Sequence, residues 1–146
     1  MIHEISRLDD DFISLLQGDP VRPHIPVEDR VGVNARVLVL TDQNSEPQSV
    51  VCVSFLDQVP VNEQELFNPA VENPSVAALY TIWSLKPGGG QSLVQAALSW
   101  IKINKPGIKR ILTLSPLTMT ARRFHIKNGA RELQVNFDTV NFEYTL

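Results

Sequence analysis

The stretch that most constrains the fold runs from residue 77 to residue 114. It reads as a strand rich in aromatic and β-branched residues (77–85, ALYTIWSL after Ala77), then a turn of Pro87, Gly88, Gly89 and Gly90. A helix over 91–104 and a second strand over 109–114 follow. Leu93, Ala97, Trp100, Ile101 and Asn104 define one helical face on which only the last position is polar. Lys105, Pro106 and Gly107 stop the helix. Strand, glycine turn, helix and strand in that order require helices packed on a sheet, which is the α/β class. A glycine run at a helix start also leaves backbone N–H groups free to point at an anion, with the helix dipole behind them. Three glycines permit a pyrophosphate to approach closely, although PGGG serves equally well as an ordinary strand-to-helix turn.

Further strands flank this unit. Residues 2–6 read as a short strand, and residues 8–17 as a one-faced helix carrying Leu8, Phe12, Ile13, Leu15 and Leu16. Pro20, Pro23 and Pro26 then break the chain into an irregular arm. Residues 35–40 and 49–55 are apolar and β-branched around a turn-rich 42–48, which predicts an antiparallel hairpin. A helical turn is expected over 61–67 and a polar loop over 68–74. Residues 118–131, TMTARRFHIKNGAR, read as a short helix capped by Thr118 or Thr120, with Gly129 just past its end. Two strands, 132–137 and 139–146, complete the order.

A chain of 146 residues with 43% hydrophobic content can bury a real core, so residues 1–146 are expected to form a single domain. No apolar run approaches the roughly 20 residues needed to span a bilayer. The acidic, amphipathic start MIHEISRLDDDF does not read as a leader, so a cytoplasmic protein is expected. A net charge of −3 without a long basic run points away from nucleic acid and membrane partners. Cys52 is the only cysteine, which excludes an intramolecular disulfide, and its neighbours in VVCVSF make it a buried strand residue. His3, His24 and His125 lack metal-ligand spacing, so no metal is expected, and His24 in RPHIP reads as an arm residue.

Chemistry is carried by a serine and a histidine. Ser115 ends the apolar alternation of ILTLSPL, and His125 lies on the helix that follows, so the two can face one cleft. A histidine titrates near neutrality, with an ordinary pKa of about 6.5, and suits proton donation at physiological pH. The competing structural role is a half-buried helix histidine bonded to a carbonyl.

The order β, α, β, β, β, glycine loop, α, β, α, β, β resembles the GNAT acyltransferase fold, a mixed central sheet flanked by helices. In that family CoA enters between two middle strands that splay apart. FHIKNG is similar to the GNAT helix pattern F-Y-x-K-x-G: Phe124, Lys127 and Gly129 match, and His125 stands at the tyrosine that protonates the departing CoA thiolate. Gly88 and Gly90 match the glycines of the GNAT phosphate loop, whereas Leu85 takes its basic or Gln position, with Lys86 beside it.

A second resemblance is to the catalytic domain of malonyl-CoA decarboxylases. ALYTIWSL, the glycine loop, LVQAALSWIKINKPGIKRILTLSP, RFHIKNGA and VNFEYTL look like that family's FYSI, FLIK, TLSP, FHxxNGA and NYxY patterns, and Glu46-Pro47 like its EP turn. The resemblance implies a lyase of fatty acid metabolism that removes CO2 from malonyl-CoA, with the CoA thioester as substrate and no permanently bound cofactor. It implies catalytic roles for Ser115, His125 and Tyr144. The glycine-loop match assigns thioester binding to Lys86, Gly88, Gly89, Gly90, Gln91 and Ser92. Tyr144 reads equally as a partly buried strand tyrosine. Two rivals stay open: an N-acetyltransferase using acetyl-CoA, and a non-catalytic acyl-CoA-binding module. A homo-oligomer is compatible with all three. The sequence departs from the decarboxylase pattern in its shortened loop, where Gly88 falls near the family's glutamate. The resemblance would further imply a long insertion between the serine and histidine motifs and an N-terminal helical domain, and neither is read within residues 1–146.

Overall fold

The computed structural model describes residues 1–146. Its strands are β1 (Ile2–Ile5), β2 (Ala35–Thr41), β3 (Pro47–Leu56), β4 (Val76–Ser84), β5 (Arg110–Thr113), β6 (Ser115–Pro116), β7 (Arg131–Val135) and β8 (Thr139–Tyr144). Its α-helices are α1 (Gly89–Asn104) and α2 (Met119–Lys127). All eight strands join one mixed sheet in the order β1-β2-β3-β4-β5-β8-β6, with β7 paired to β8. The 77–114 stretch becomes a β4-α1-β5 unit whose two strands are parallel, the pairing that a helical crossover permits and a tight hairpin does not.

β3 is buried at every position from 49 to 56, because both faces of the sheet are covered there. Val51, Val53 and Phe55 pack with Leu93, Ala97 and Ile101 of α1 in one core layer. Val50 and Cys52 belong to the opposite layer, together with Leu16 and Ile25 from the segment between β1 and β2. Burial pushes the Cys52 thiol up to about 12, so this residue packs and does not react.

The helix expected over 8–17 does not form. A 3-10 turn, Ile13–Gly18, stands in its place. The Asp10 carboxylate accepts the N–H of Phe12 at 2.9 Å and the His3 ring at 2.9 Å, and a side chain bonded to its own neighbouring backbone competes with a helical turn.

The proline arm holds no strand or α-helix, only a 3-10 turn at Val27–Asp29, but is tightly anchored. Asp19 accepts the N–H groups of Val21 (2.7 Å) and Arg22 (3.0 Å), the Thr81 hydroxyl of β4 (2.9 Å) and the Arg30 guanidinium (2.6 Å). The side chains of Asp19 and Arg30 are both 0% exposed, so the arm is fastened to the sheet by a fully buried ion pair.

Candidate active site

The site begins where two parallel strands part. β4 and β5 pair from Val76 opposite Arg110 to Leu79 opposite Thr113, and the Leu114 N–H still donates to the Leu79 carbonyl at 2.9 Å. Beyond that point β4 runs on to Ser84 beside β3, while the other chain segment keeps its pairing with β8, Leu112 opposite Glu143 and then Ser115 opposite Val140. The splay is thus the point at which the two parallel strands part, each keeping its antiparallel partner. β4 is bulged at the same level: Leu79 faces Val53 and Thr81 faces Cys52, which makes Tyr80 the extra residue.

A cavity of about 280 Å³ occupies this gap. Its wall includes residues 80–84 of β4, Gly90 at the start of α1, Ser115, and Phe124 and His125 of α2. No Asp, Glu, Lys or Arg lines it.

Ser115 and His125 therefore meet at one cavity, each backed by a hydroxyl. The Thr113 Oγ1 accepts the N–H of Phe142 at 3.1 Å and lies 2.8 Å from the Ser115 Oγ. Either hydroxyl can donate across this contact, and when Thr113 donates, the Ser115 proton is free to turn to a ligand in the cavity. On the other side, the Tyr144 hydroxyl lies 2.7 Å from the His125 Nδ1 and has no second partner. Its proton goes to Nδ1, so the ring's own proton sits on Nε2, which makes no hydrogen bond within the protein. Phe142 stacks on the imidazole at 5.4 Å and fixes its plane. Both hydrogen-bonded pairs end at a residue of the cavity wall.

Local sequence explains the placement of His125. Thr118 caps α2 by accepting the Ala121 N–H at 3.1 Å, and Gly129, at φ 104°, turns the chain into β7. Between them His125 faces the sheet and is buried. Burial lowers its pKa from 6.5 to about 4, so at physiological pH the ring is neutral. This corrects the expectation of a histidine titrating near neutrality. Burial pushes the Tyr144 phenol the other way, well above its ordinary value.

The depressed His125 pKa has a consequence for stability. Between pH 6.5 and pH 4 the unfolded chain takes up a proton at this ring that the folded chain refuses. Stability is complete above about pH 6.5 and falls as the pH drops toward 4, by at most about 3 kcal/mol. Asp19, Glu63 and Glu143, held below their ordinary carboxylate values, lose their contributions only below about pH 4.5. Urea midpoints of wild type are expected to fall across the 6.5-to-4 window, and those of His125→Asn to stay nearly level there. Parallel curves would contradict the buried neutral ring.

The glycine loop is less concentrated than its sequence suggests. Of Lys86, Gly88, Gly89, Gly90, Gln91 and Ser92, only Gly90 lines the cavity. The Lys86 ammonium lies 3.3 Å from the Glu46 carboxylate, and Gln91 and Ser92 are exposed on the first turn of α1. Each glycine also has a structural reason. Gly88 has φ 78°. A Cβ on Gly89 would sit 2.8 Å from the Gln48 carbonyl oxygen, and one on Gly90 3.2 Å from the Phe124 ring. The Gly89 N–H is taken by the Lys86 carbonyl at 3.2 Å, whereas Gly90 and Gln91 present N–H groups that a helix start leaves without an internal acceptor.

No protein-family model and no curated protein sequence matches the chain. Solved structures do. The malonyl-CoA decarboxylase from Rhodopseudomonas palustris superposes with a TM-score of 0.80 at 17% identity, over 100% of this chain and 60% of that one. A GNAT-like decarboxylase, GphF, in complex with isobutyryl-CoA gives 0.68 at 14% identity, over 99% and 98% of the two chains. An acetyltransferase from Bacillus subtilis in complex with CoA gives 0.66 at 15%, over 99% and 97%. The chain has the GNAT fold. It spans only 60% of the length of the Rhodopseudomonas decarboxylase.

Within this GNAT fold, two residues that pattern reading passed over belong to the site. Thr113 had a usable signal, since hydroxyls two positions apart on a strand share a face with Ser115. Arg22 had none. Its guanidinium crosses the sheet from the arm to the splay, donating from Nε to the Tyr80 carbonyl (2.8 Å) and from Nη2 to the Leu114 carbonyl (2.9 Å).

Proposed function

We propose that residues 1–146 act as one acyl-CoA-binding domain that removes CO2 from malonyl-CoA or a related β-carboxyacyl thioester. The observation that carries this reading is the convergence of Ser115 and His125 on a cavity without Asp, Glu, Lys or Arg side chains, where each would offer a neutral donor, Oγ–H and Nε2–H. The thioester would run through the splay, with its phosphates toward Gly90, Gln91 and Lys86 at the positive end of α1.

Decarboxylation needs the carboxylate turned out of the thioester plane. Ser115 would hold it there, and a β4 amide near the bulge would meet the thioester oxygen as negative charge builds on it. The bond between the α-carbon and the carboxyl carbon breaks, its electron pair becomes the enolate, and CO2 leaves. The His125 Nε2 proton then passes to the α-carbon while the Tyr144 proton passes to Nδ1; Nδ1 afterwards returns its proton to the phenolate as solvent supplies one proton to Nε2, which restores both groups. An enolate is a much stronger base than phenolate, so the pair is acidic enough for this transfer. A cavity wall without Lys or Arg leaves the substrate carboxylate without a cation to stabilise it, which favours the charge-dispersed transition state.

The same features weigh against acetyl transfer to an amine. That reaction needs a base to take a proton from an ammonium ion, and no carboxylate lines the cavity. His125, lowered to about 4, is a poor base.

Calorimetric titration with acetyl-CoA and malonyl-CoA tests the binding half of this reading. Gly90→Val is expected to abolish binding, because its side chain enters the cavity wall against Phe124. Gly88→Ala, where nothing lies within 4 Å of the new Cβ, is expected to bind and to lose only about 1–2 kcal/mol of stability through its left-handed backbone. Equal binding by Gly90→Val would remove the glycine turn from the site. Acetyl transfer to an amine library, with malonyl-CoA left intact, would replace the decarboxylase by the transferase. Binding without either reaction would leave a non-catalytic module.

A further inference from the structure

We infer that Arg22 is the positioning residue that sets the opening of the splay, and with it the distance between β4 and Ser115. This rests on the proposed decarboxylation for its kinetic consequence only. The ladder between β4 and β5 ends with Leu114 N–H on the Leu79 carbonyl. The next carbonyl on each side, Tyr80 on β4 and Leu114 ahead of Ser115, has no partner across the gap. One planar guanidinium donates to both, from Nε at 2.8 Å and Nη2 at 2.9 Å, and its Nη1 is anchored by the Glu63 carboxylate. The fork has fixed geometry, so it holds the two carbonyls at a fixed spacing.

The clasp is itself braced. The Arg22 N–H is bonded to Asp19, the Arg22 carbonyl accepts Arg30 Nη2 at 2.8 Å, and Asp19 also accepts the Thr81 hydroxyl on β4. Arg22 is 7% exposed, so few waters can substitute for it. Without it, two buried carbonyls at the apex of the splay lose their donors, and the gap either closes by further strand pairing or fills with water. Tyr80 and Ser115 flank the reacting atoms on opposite sides, and a displacement of about 1 Å there is worth about 10²-fold in rate.

Lysine keeps the charge but cannot donate along two fixed directions. Arg22→Lys is therefore expected to lower kcat for malonyl-CoA about 10²-fold, with KM and the calorimetric affinity for acetyl-CoA changed less than about threefold. Glu63→Gln, which removes the anchoring charge at the outer end along with its pairing to the exposed His24, is expected to show the same split to a smaller degree. In combination with Ser115→Ala, Arg22→Lys should cost little more than Ser115→Ala alone, because the clasp acts through the placement of that serine. A merely structural role would raise urea sensitivity without that non-additivity. A kcat for Arg22→Lys within about twofold of wild type overturns the clasp while leaving the decarboxylase reading intact. If wild type releases no CO2, the decarboxylase reading fails, and amide exchange at residues 80–83 and 115 decides the clasp. Faster exchange confined to those residues in Arg22→Lys supports it, and unchanged exchange overturns it.

Discussion

His125→Asn is expected to lower CO2 release from malonyl-CoA by about 10²–10⁴-fold, the range typical of losing a general acid, while leaving affinity for acetyl-CoA nearly unchanged. The Tyr144 hydroxyl engages the His125 Nδ1, which leaves Nε2 as the ring nitrogen without a partner in the protein and so the one to carry the transferable proton. Asparagine offers a hydrogen bond but no transferable proton at the α-carbon. Tyr144→Phe provides the graded comparison: it preserves the ring packing but frees Nδ1, so that either nitrogen can carry the proton. Its loss should be smaller than that of His125→Asn. A His125→Asn enzyme with wild-type turnover would remove the imidazole from the mechanism, and the splay with Ser115 alone would have to account for the chemistry.

The largest effect on stability is expected from Asp19→Ala. The substitution removes the carboxylate that lies 2.6 Å from the Arg30 guanidinium, and Arg30 is 0% exposed. An uncompensated buried charge costs about 3–5 kcal/mol. The Thr81 hydroxyl and the N–H groups of Val21 and Arg22 lose their acceptor as well. A urea midpoint lowered accordingly, with part of the loss recovered when Arg30→Met is added, is the expected result. A loss under about 1 kcal/mol would mean that water reaches Arg30 as freely as it reaches a surface pair. Loss of the Asp19 turn should also loosen Arg22, so the variant is expected to turn over malonyl-CoA more slowly even where it is fully folded.

The residues that met at the cavity were those whose signal lies in local order. Ser115 stands where an apolar strand pattern ends, and His125 lies between a capping threonine and a terminal glycine, so each could be placed on its element from near neighbours alone. The mixed sheet followed from the same kind of signal, with the glycine turn and α1 between β4 and β5 dictating their parallel pairing. Arg22 was illegible because its partners are 58 and 92 positions away, and nothing in VRPHIP distinguishes a clasp from a surface cation. The proton affinity of His125 was illegible for a related reason: its shift comes from burial, which is a property of the packed layers and not of RFHIKNGA. The helix drawn over 8–17 failed through a local competitor, since Asp10 turns its carboxylate back on the Phe12 N–H. Gly89 is there because β3 passes too close for a side chain, and Gly90 is the one member of the glycine turn that borders the cavity.

Release of labelled CO2 from carboxyl-labelled malonyl-CoA, with no amine, metal or other cofactor added, tests the central claim most directly. Wild type is expected to release CO2 and form acetyl-CoA in equal amounts. Turnover is expected to be slow, since the shortened loop has Gly88 near the position of the decarboxylase glutamate and each ~1.4 kcal/mol of lost transition-state stabilisation is tenfold in rate. Ser115→Ala and His125→Asn should release CO2 about 10²-fold or more slowly, at rates still measurable, while still binding the thioester. Wild-type release no faster than that of the two variants would contradict the account.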